Sequence, residues 1–327
     1  MRVVYFGTPA FAVPALEALA ADDRYDLRLV VTQPDRPAGR GRLVEAAPVA
    51  QAARRLNLPL YQPTMLRPSE ARAPLVEAAA DVFVVAAFGL IFGRATLAIP
   101  RVGCVNLHAS LLPRYRGASP ILAAILSGDR RTGVTLMEMD AGLDTGGLIA
   151  ELDEPILPDD TTESLSHRLA RRAAALIRQD LPSYVAGELA PRPQPANGGN
   201  LTRLIAKADG WLDWSRPASD LERQVRAMWP WPRAWTTLGD TQLQIHRASA
   251  IPGIGAGNEP GLLLDRVPHP VVVCGADALA LEIVQPAGRK PVAGAAFARG
   301  LRHEEGAILG ASGGPGPRPP IVVPVAP

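Results

Sequence analysis

Over the first 200 residues, short runs of consecutive apolar side chains alternate with segments of helical period. Residues 3–6 (Val-Val-Tyr-Phe) stop at Gly7 and predict a first buried strand. Thr8 and Pro9 suit the N-cap and first position of a helix running to about residue 20. Residues 27–31 predict a second strand, 48–56 a helix, 60–61 a short strand and 70–80 another helix. The continuous apolar run 82–87 and the segment 103–108 complete the strand series. Uninterrupted apolar strands spaced by helices predict a parallel sheet covered on both faces, because only strands buried on both sides dispense with polar alternation.

The pattern changes near residue 191. Pro-Arg-Pro-Gln-Pro-Ala-Asn-Gly-Gly-Asn reads as a linker. Beyond it a helix is expected at 218–227, followed by short strands at 235–238, 242–248, 261–264, 271–274 and 279–284, a spacing that suggests a small β-barrel. The domain reading is therefore 1–190 for an α/β Rossmann-like parallel-sheet domain, 191–205 for a linker and 206–310 for a smaller β-barrel domain. Residues 311–327 form a Pro/Gly-rich tail expected to be poorly ordered. No internal repeat is visible.

Composition narrows the classes. The 327 residues are 47% hydrophobic and 20% charged, enough for substantial cores. Thirty-four basic against 32 acidic residues give a net charge of only +2, which excludes a polybasic binder but permits a local patch. Two cysteines, Cys104 and Cys274, make neither a disulfide framework nor a metal cluster, and the five histidines have no zinc-ligand spacing, so no metal is expected. The N-terminal apolar run is too short for a signal peptide and no long apolar span suggests a membrane segment, so a cytoplasmic protein is expected.

Three polar residues stand out. In a strand over 103–108, alternation sends Asn106 and His108 to one face at the carboxyl end, where open α/β sheets bind ligands. Asp144 follows in a short-chained Gly-rich loop, Met-Asp-Ala-Gly-Leu-Asp-Thr-Gly-Gly. A carboxylate beside an imidazole would orient it, and amide and imidazole N–H groups can stabilise an oxyanion. Each residue alone has a plainer reading: Asn106 as a strand cap, His108 as a satisfied core histidine, Asp140 or Asp144 as a turn former. No activated nucleophile accompanies them. Cys104 reads as a buried structural thiol, Ser110 lacks a nucleophile elbow, and the first strand–helix turn lacks a dinucleotide fingerprint. Direct group transfer from a donor to an acceptor amine fits this set.

Asn-x-His at 106–108, Ser-Leu-Leu-Pro-Arg-Tyr-Arg-Gly at 110–117 and Met-Asp-Ala-Gly-Leu-Asp-Thr-Gly at 139–146 together resemble the formyltransferases that use 10-formyltetrahydrofolate. Gly-Thr-Pro-Ala-Phe at 7–11, Thr-Gln-Pro-Asp-Arg-Pro-Ala-Gly-Arg-Gly at 32–41, Asp213-Trp214, Pro-Trp-Pro-Arg-Ala-Trp at 230–235 and Gln-Pro-Ala-Gly-Arg-Lys at 285–290 are similar to the branch of that family acting on methionyl-tRNA. The resemblance spans about residues 1–305. It implies a Rossmann-like catalytic domain, a C-terminal domain like an OB-fold, and formyl transfer to the α-amino group of methionine on initiator tRNA, a step of translation initiation.

It further implies Asn106, His108 and Asp144 as catalytic, Ser110, Leu111, Leu112 and Pro113 as the folate-contacting turn, the run 85–91 as the pterin flank, and Phe11 as an aromatic near the methionine side chain. Arg40 and Arg42, in a loop that approaches the acceptor stem, become tRNA contacts dominated by phosphate. A monomer is expected. There are departures. Arg42-Leu43 replaces a Lys-Lys pair, and Phe92-Gly93 replaces Leu-Pro. Residues 201–327 carry 13 basic and 11 acidic side chains where the family is basic, and the Pro-rich tail has no counterpart. The remaining readings are formyl transfer to a small amine such as an amino-sugar nucleotide, and a catalytically silent folate- or RNA-binding protein.

Overall fold

The computed structural model describes residues 1–38, 43–255, 257–264, 268–300, 306–316 and 318–325. Seven strands build the first sheet. Its parallel part runs Leu60–Tyr61, Asp26–Val31, Arg2–Gly7, Val82–Ala86 and Gly103–His108 from one edge inward. Arg131–Glu138 and Leu148–Pro155 then extend it through antiparallel pairings. The predicted strands form the expected parallel sheet, and the added strand Arg131–Glu138 runs against them, which makes the whole mixed and mostly parallel. Leu148–Pro155, antiparallel to that strand, again points the way of the parallel set, so a single strand is reversed.

Burial follows the alternation of the strands. Val105 and Leu107 enter the larger core beneath helix Thr162–Gln179, while Cys104 enters the opposite core with Phe83 and Val85. That helix starts on a reciprocal cap in which Thr161 Oγ1 accepts from the Ser164 N–H and Ser164 Oγ accepts from the Thr161 N–H. The predicted helix after Gly7 begins later than expected. Ala10–Ala12 is a 3₁₀ turn and the α-helix is Val13–Ala20. Thr8 does not cap it, because its hydroxyl is used across the sheet end, donating to the Phe88 carbonyl at 3.2 Å.

The second domain is an antiparallel sheet containing Ala234–Leu238, Thr241–Ile251, Ala278–Pro286, Val271–Val273 and Leu263–Leu264, with helix Ala218–Ala227 packed on it. That helix also docks the two domains. Ala227 and Met228 join the first domain's core, Thr162 Oγ1 donates to the Ala227 carbonyl at 2.6 Å, and Arg226 donates to the Asp160 carbonyl at 2.9 Å.

A third, three-stranded sheet connects the parts: Arg116–Gly117, Asn200–Thr202 and Val322–Pro324. The linker and tail, expected to be spacer and loose end, both carry strands. No helix among the described residues is long and apolar enough to cross a membrane.

Candidate active site

The site forms where Gly103–His108 ends. Asn106 and His108 leave the strand on one face, as period two requires. The chain then makes a tight turn over 110–113 that is fixed from within. Ser110 is buried and its hydroxyl donates to the Arg114 carbonyl at 2.6 Å. Thr135, on the neighbouring strand, donates to the Ser110 carbonyl at 2.7 Å and accepts from the Leu112 N–H at 3.2 Å. Leu112 packs with Met137 and Leu148.

Asp144 reaches this strand end from the loop between the two antiparallel strands. Asp140 shapes that loop, accepting from Gly142 N–H at 2.9 Å and from Thr145 Oγ1 at 2.8 Å. Asp140 is thus the turn former, and Asp144 is the residue that faces inward. Asp144 itself holds a left-handed backbone, φ 53°, a conformation tolerated by Asp and frequent at functional positions. Its Oδ1 lies 3.5 Å from Asn106 Nδ2, and its Oδ2 accepts from the Gly117 N–H at 2.7 Å and sits 3.6 Å from His108 Nδ1. The three residues singled out from sequence therefore converge on one carboxylate.

The other ring nitrogen decides the tautomer. His108 is 6% exposed, and its Nε2 lies 2.8 Å from the Tyr115 carbonyl. A carbonyl only accepts, so Nε2 carries the hydrogen, and Nδ1 is the ring position turned toward Asp144. Tyr115 is one of the residues sequence reasoning missed. Its backbone is left-handed, φ 56°, and its hydroxyl donates to Asp129 at 2.7 Å. Gln194 was missed too. Its amide donates to the Asp144 and Gly146 carbonyls at 2.8 and 2.9 Å, while its oxygen accepts from Arg116 at 2.7 Å. A glutamine in a Pro/Asn/Gly stretch carries no signal that separates it from a solvated linker.

The structure places the remaining candidates as follows. Phe11 is 7% exposed within the larger core. Leu111 lies over Gly133, and Pro113 faces Gly199 of the linker. The run 85–91 alternates buried Phe88 with exposed Ala87 and Gly89, both left-handed at φ 46° and 83°. Beneath it, Phe6, Phe83, Phe88 and Phe92 form an aromatic cluster in which Phe92 lies 4.9 Å from Phe6, centroid to centroid. The Phe92 departure is thus absorbed by packing. Arg40 and Arg42 lie outside the described residues; the strands flanking them, Arg36–Ala38 and Leu43–Glu45, pair antiparallel. Burial pushes the Cys104 thiol up to about 12, so it is protonated and inert at neutral pH. No cluster of potential metal ligands occurs among the described residues.

This geometry can hold an oxyanion and shuttle a proton without any covalent enzyme bond. Comparison with known proteins gives the family. Family profiles described as "Formyl transferase" and "Formyl transferase, C-terminal domain" match residues 1–181 and 204–302. The methionyl-tRNA formyltransferase of Thiobacillus denitrificans is 48% identical over 312 residues, covering 95% of this chain and all of that protein. The chain belongs to the methionyl-tRNA formyltransferase family.

Solved structures in the same fold include an N-formyltransferase from Helicobacter canadensis in complex with folinic acid and dTDP-3-aminofucose. It has a TM-score of 0.62 at 16% identity and covers 85% of this chain and 98% of that one. A methionyl-tRNA formyltransferase from Clostridium thermocellum has a TM-score of 0.54 at 14% identity, covering 90% of this chain and 100% of that one. Membership in the formyltransferase family makes the protein a formyl-transferring enzyme.

Proposed function

We propose that this enzyme moves the formyl group of 10-formyltetrahydrofolate to the α-amino group of methionine esterified to initiator tRNA, in the cytoplasm and as a monomer. The observation that carries the reading is the convergence of Asn106 and His108 on the Asp144 carboxylate at the end of a parallel strand, in a chain nearly half identical to a methionyl-tRNA formyltransferase along its length. The folate chemistry suits what lines the strand ends. Exposed left-handed backbone at Ala87 and Gly89 beside half-buried Leu90 offers polar groups next to an apolar wall, which is what a flat heterocycle with hydrogen-bonding edges takes. The turn Ser110–Leu111–Leu112–Pro113, rigid through Thr135, forms the other contact, and it acts through backbone because the Ser110 hydroxyl is already committed.

In the proposed step the neutral amine attacks the formyl carbon, and negative charge gathers on the formyl oxygen. One N–H of the Asn106 amide faces Asp144 and the second is left to bond this oxygen, an interaction worth about 3 kcal/mol of barrier. His108, its Nε2–H anchored on Tyr115, takes the amine proton at Nδ1. The Nδ1–H then turns on Asp144 Oδ2, and the cationic ring adds to oxyanion stabilisation. The proton passes to the folate nitrogen as its bond to the formyl carbon breaks. Phe11 borders the methionine side chain, and Arg40 and Arg42 contact acceptor-stem phosphates.

The test mixes purified protein with formyl-labelled 10-formyltetrahydrofolate and methionyl initiator tRNA, methionyl elongator tRNA or an amino-sugar nucleotide. Label is expected on the initiator tRNA alone. No transfer, or preferred transfer to the sugar nucleotide, overturns the proposal.

A further inference from the structure

The mechanism needs the loop 115–118 to stay in place, because its Tyr115 carbonyl fixes His108 and its Gly117 N–H fixes Asp144. Most of what holds this loop comes from distant sequence. Asn200 Oδ1 accepts from the Tyr115 N–H. Thr202 Oγ1 donates to the Arg116 carbonyl at 3.0 Å and accepts from the Ser119 N–H at 3.0 Å, and the Thr202 carbonyl accepts from the Ala118 N–H at 3.1 Å. Gly117, at φ 94°, comes so close to the Thr202 carbonyl that a Cβ there would collide with it.

The strand Asn200–Thr202 that does this work is itself held on its far side by Val322–Pro324. Arg203 N–H donates to the Ile321 carbonyl at 3.2 Å and Val325 N–H to the Gly199 carbonyl at 3.0 Å. These flanking bonds put the Leu201/Val323 pair between them on the hydrogen-bonded register. Pro324, opposite Asn200, then falls on a position whose missing N–H leaves no ladder bond unmade. Val322 also packs on the cluster of Tyr115, Ala123 and Ala124. At the tail's start the Pro319 carbonyl accepts from Arg203 at 2.9 Å, and Arg318 pairs with Asp209 at 3.0 Å.

We infer that the C-terminal segment 318–325 is a positioning element of the active site, a third strand that locks the linker strand and, through it, the loop holding His108 and Asp144. Without that strand the linker and loop form a two-stranded ribbon, which has marginal stability alone. The segment lies beyond residue 302, where the family match ends. The inference rests on the formyl-transfer reading for its kinetic consequence, but not for its structural one.

Three variants test it: a deletion of 318–327, and Val323→Pro and Val322→Ser in the full chain. The deletion should lower kcat about 100-fold, the scale of a catalytic group displaced by ~1 Å, and leave KM for the tRNA largely unchanged. A synthetic peptide of residues 311–327 should restore kcat saturably to the deletion variant, but not to His108→Ala. Amide hydrogen exchange at Gly117 should quicken by roughly tenfold or more in all three variants, whatever reaction is catalysed. A deletion variant that is folded, keeps kcat near that of the full chain and protects Gly117 as before overturns the inference. Failure of the full-length chain to transfer formyl, with Gly117 exchange responding as expected, overturns the functional reading and leaves this one standing.

Discussion

The two ring nitrogens of His108 have unequal partners, and the proposed mechanism uses that inequality. Nε2 makes a normal hydrogen bond to Tyr115, whereas Nδ1 stands 3.6 Å from the Asp144 carboxylate, beyond hydrogen-bond range. A ring clamped on one side and loose on the other is suited to gaining and losing a proton at the loose side. On the proposed mechanism, replacing His108 with Ala removes the proton relay. Turnover should fall by about 10²–10⁴-fold, with the melting temperature little changed. Cys104 shares the strand and the face by alternation, yet it is buried with a thiol pushed up to about 12. Cys104→Ala should keep kcat/KM essentially intact, and a large loss there would refute the direct-transfer mechanism. Steady-state kinetics on both variants decides between them.

At the scale of elements, the site is a turn pressed between strands. Leu111 rests on Gly133 of the strand Arg131–Glu138, and a Cβ at Gly133 would come within 2.5 Å of the Leu111 side chain while colliding with the Leu152 carbonyl. The backbone neighbour cannot yield, so Gly133→Ala should displace the turn and cost about 1–3 kcal/mol of stability. KM for the folate should rise while the tRNA KM stays put; an unchanged folate KM would remove the turn from folate binding. Elements defined by local pattern were legible in the sequence: the apolar strands, Asn106 and His108 on one face, Asp144 in its loop, and most short strands of the second domain. What pattern could not carry was pairing between segments far apart. Tyr115 looked like part of a motif and not like a carbonyl acceptor. Gln194, Asn200 and Val322 sat in Pro/Gly-rich stretches whose composition suggests solvent. Their roles are made by backbone register and side-chain reach across 78–124 residues or more of chain, as in the Arg116–Gln194 and Asn200–Pro324 contacts, and hydrophobic periodicity reports neither.

For the whole molecule, the junction of the two domains depends on a charged knot. Arg168 pairs with Asp160 at 2.6 Å and Glu154 at 2.8 Å, Arg172 also pairs with Glu154 at 2.7 Å, and the Asp160 carbonyl receives Arg226 from the other domain. Burial works to raise both carboxyls, but the arginines outweigh it and hold Asp160 and Glu154 below the ordinary carboxylate range. A carboxyl lowered in the folded state stabilises fully above its unfolded pKa, about 4, because both states are then ionised. As pH drops below that, the unfolded chain takes up protons first, and the contribution disappears as pH falls through the lowered folded values. Arg168→Gln leaves Asp160 buried without its cation and should cost about 3 kcal/mol at pH 7. The same substitution should matter less at pH 3, where the wild-type protein has itself lost part of this stabilisation. Urea unfolding of both proteins at pH 7, 5 and 3 measures the difference, and a penalty that stays constant across that range would show that the knot contributes packing and not charge.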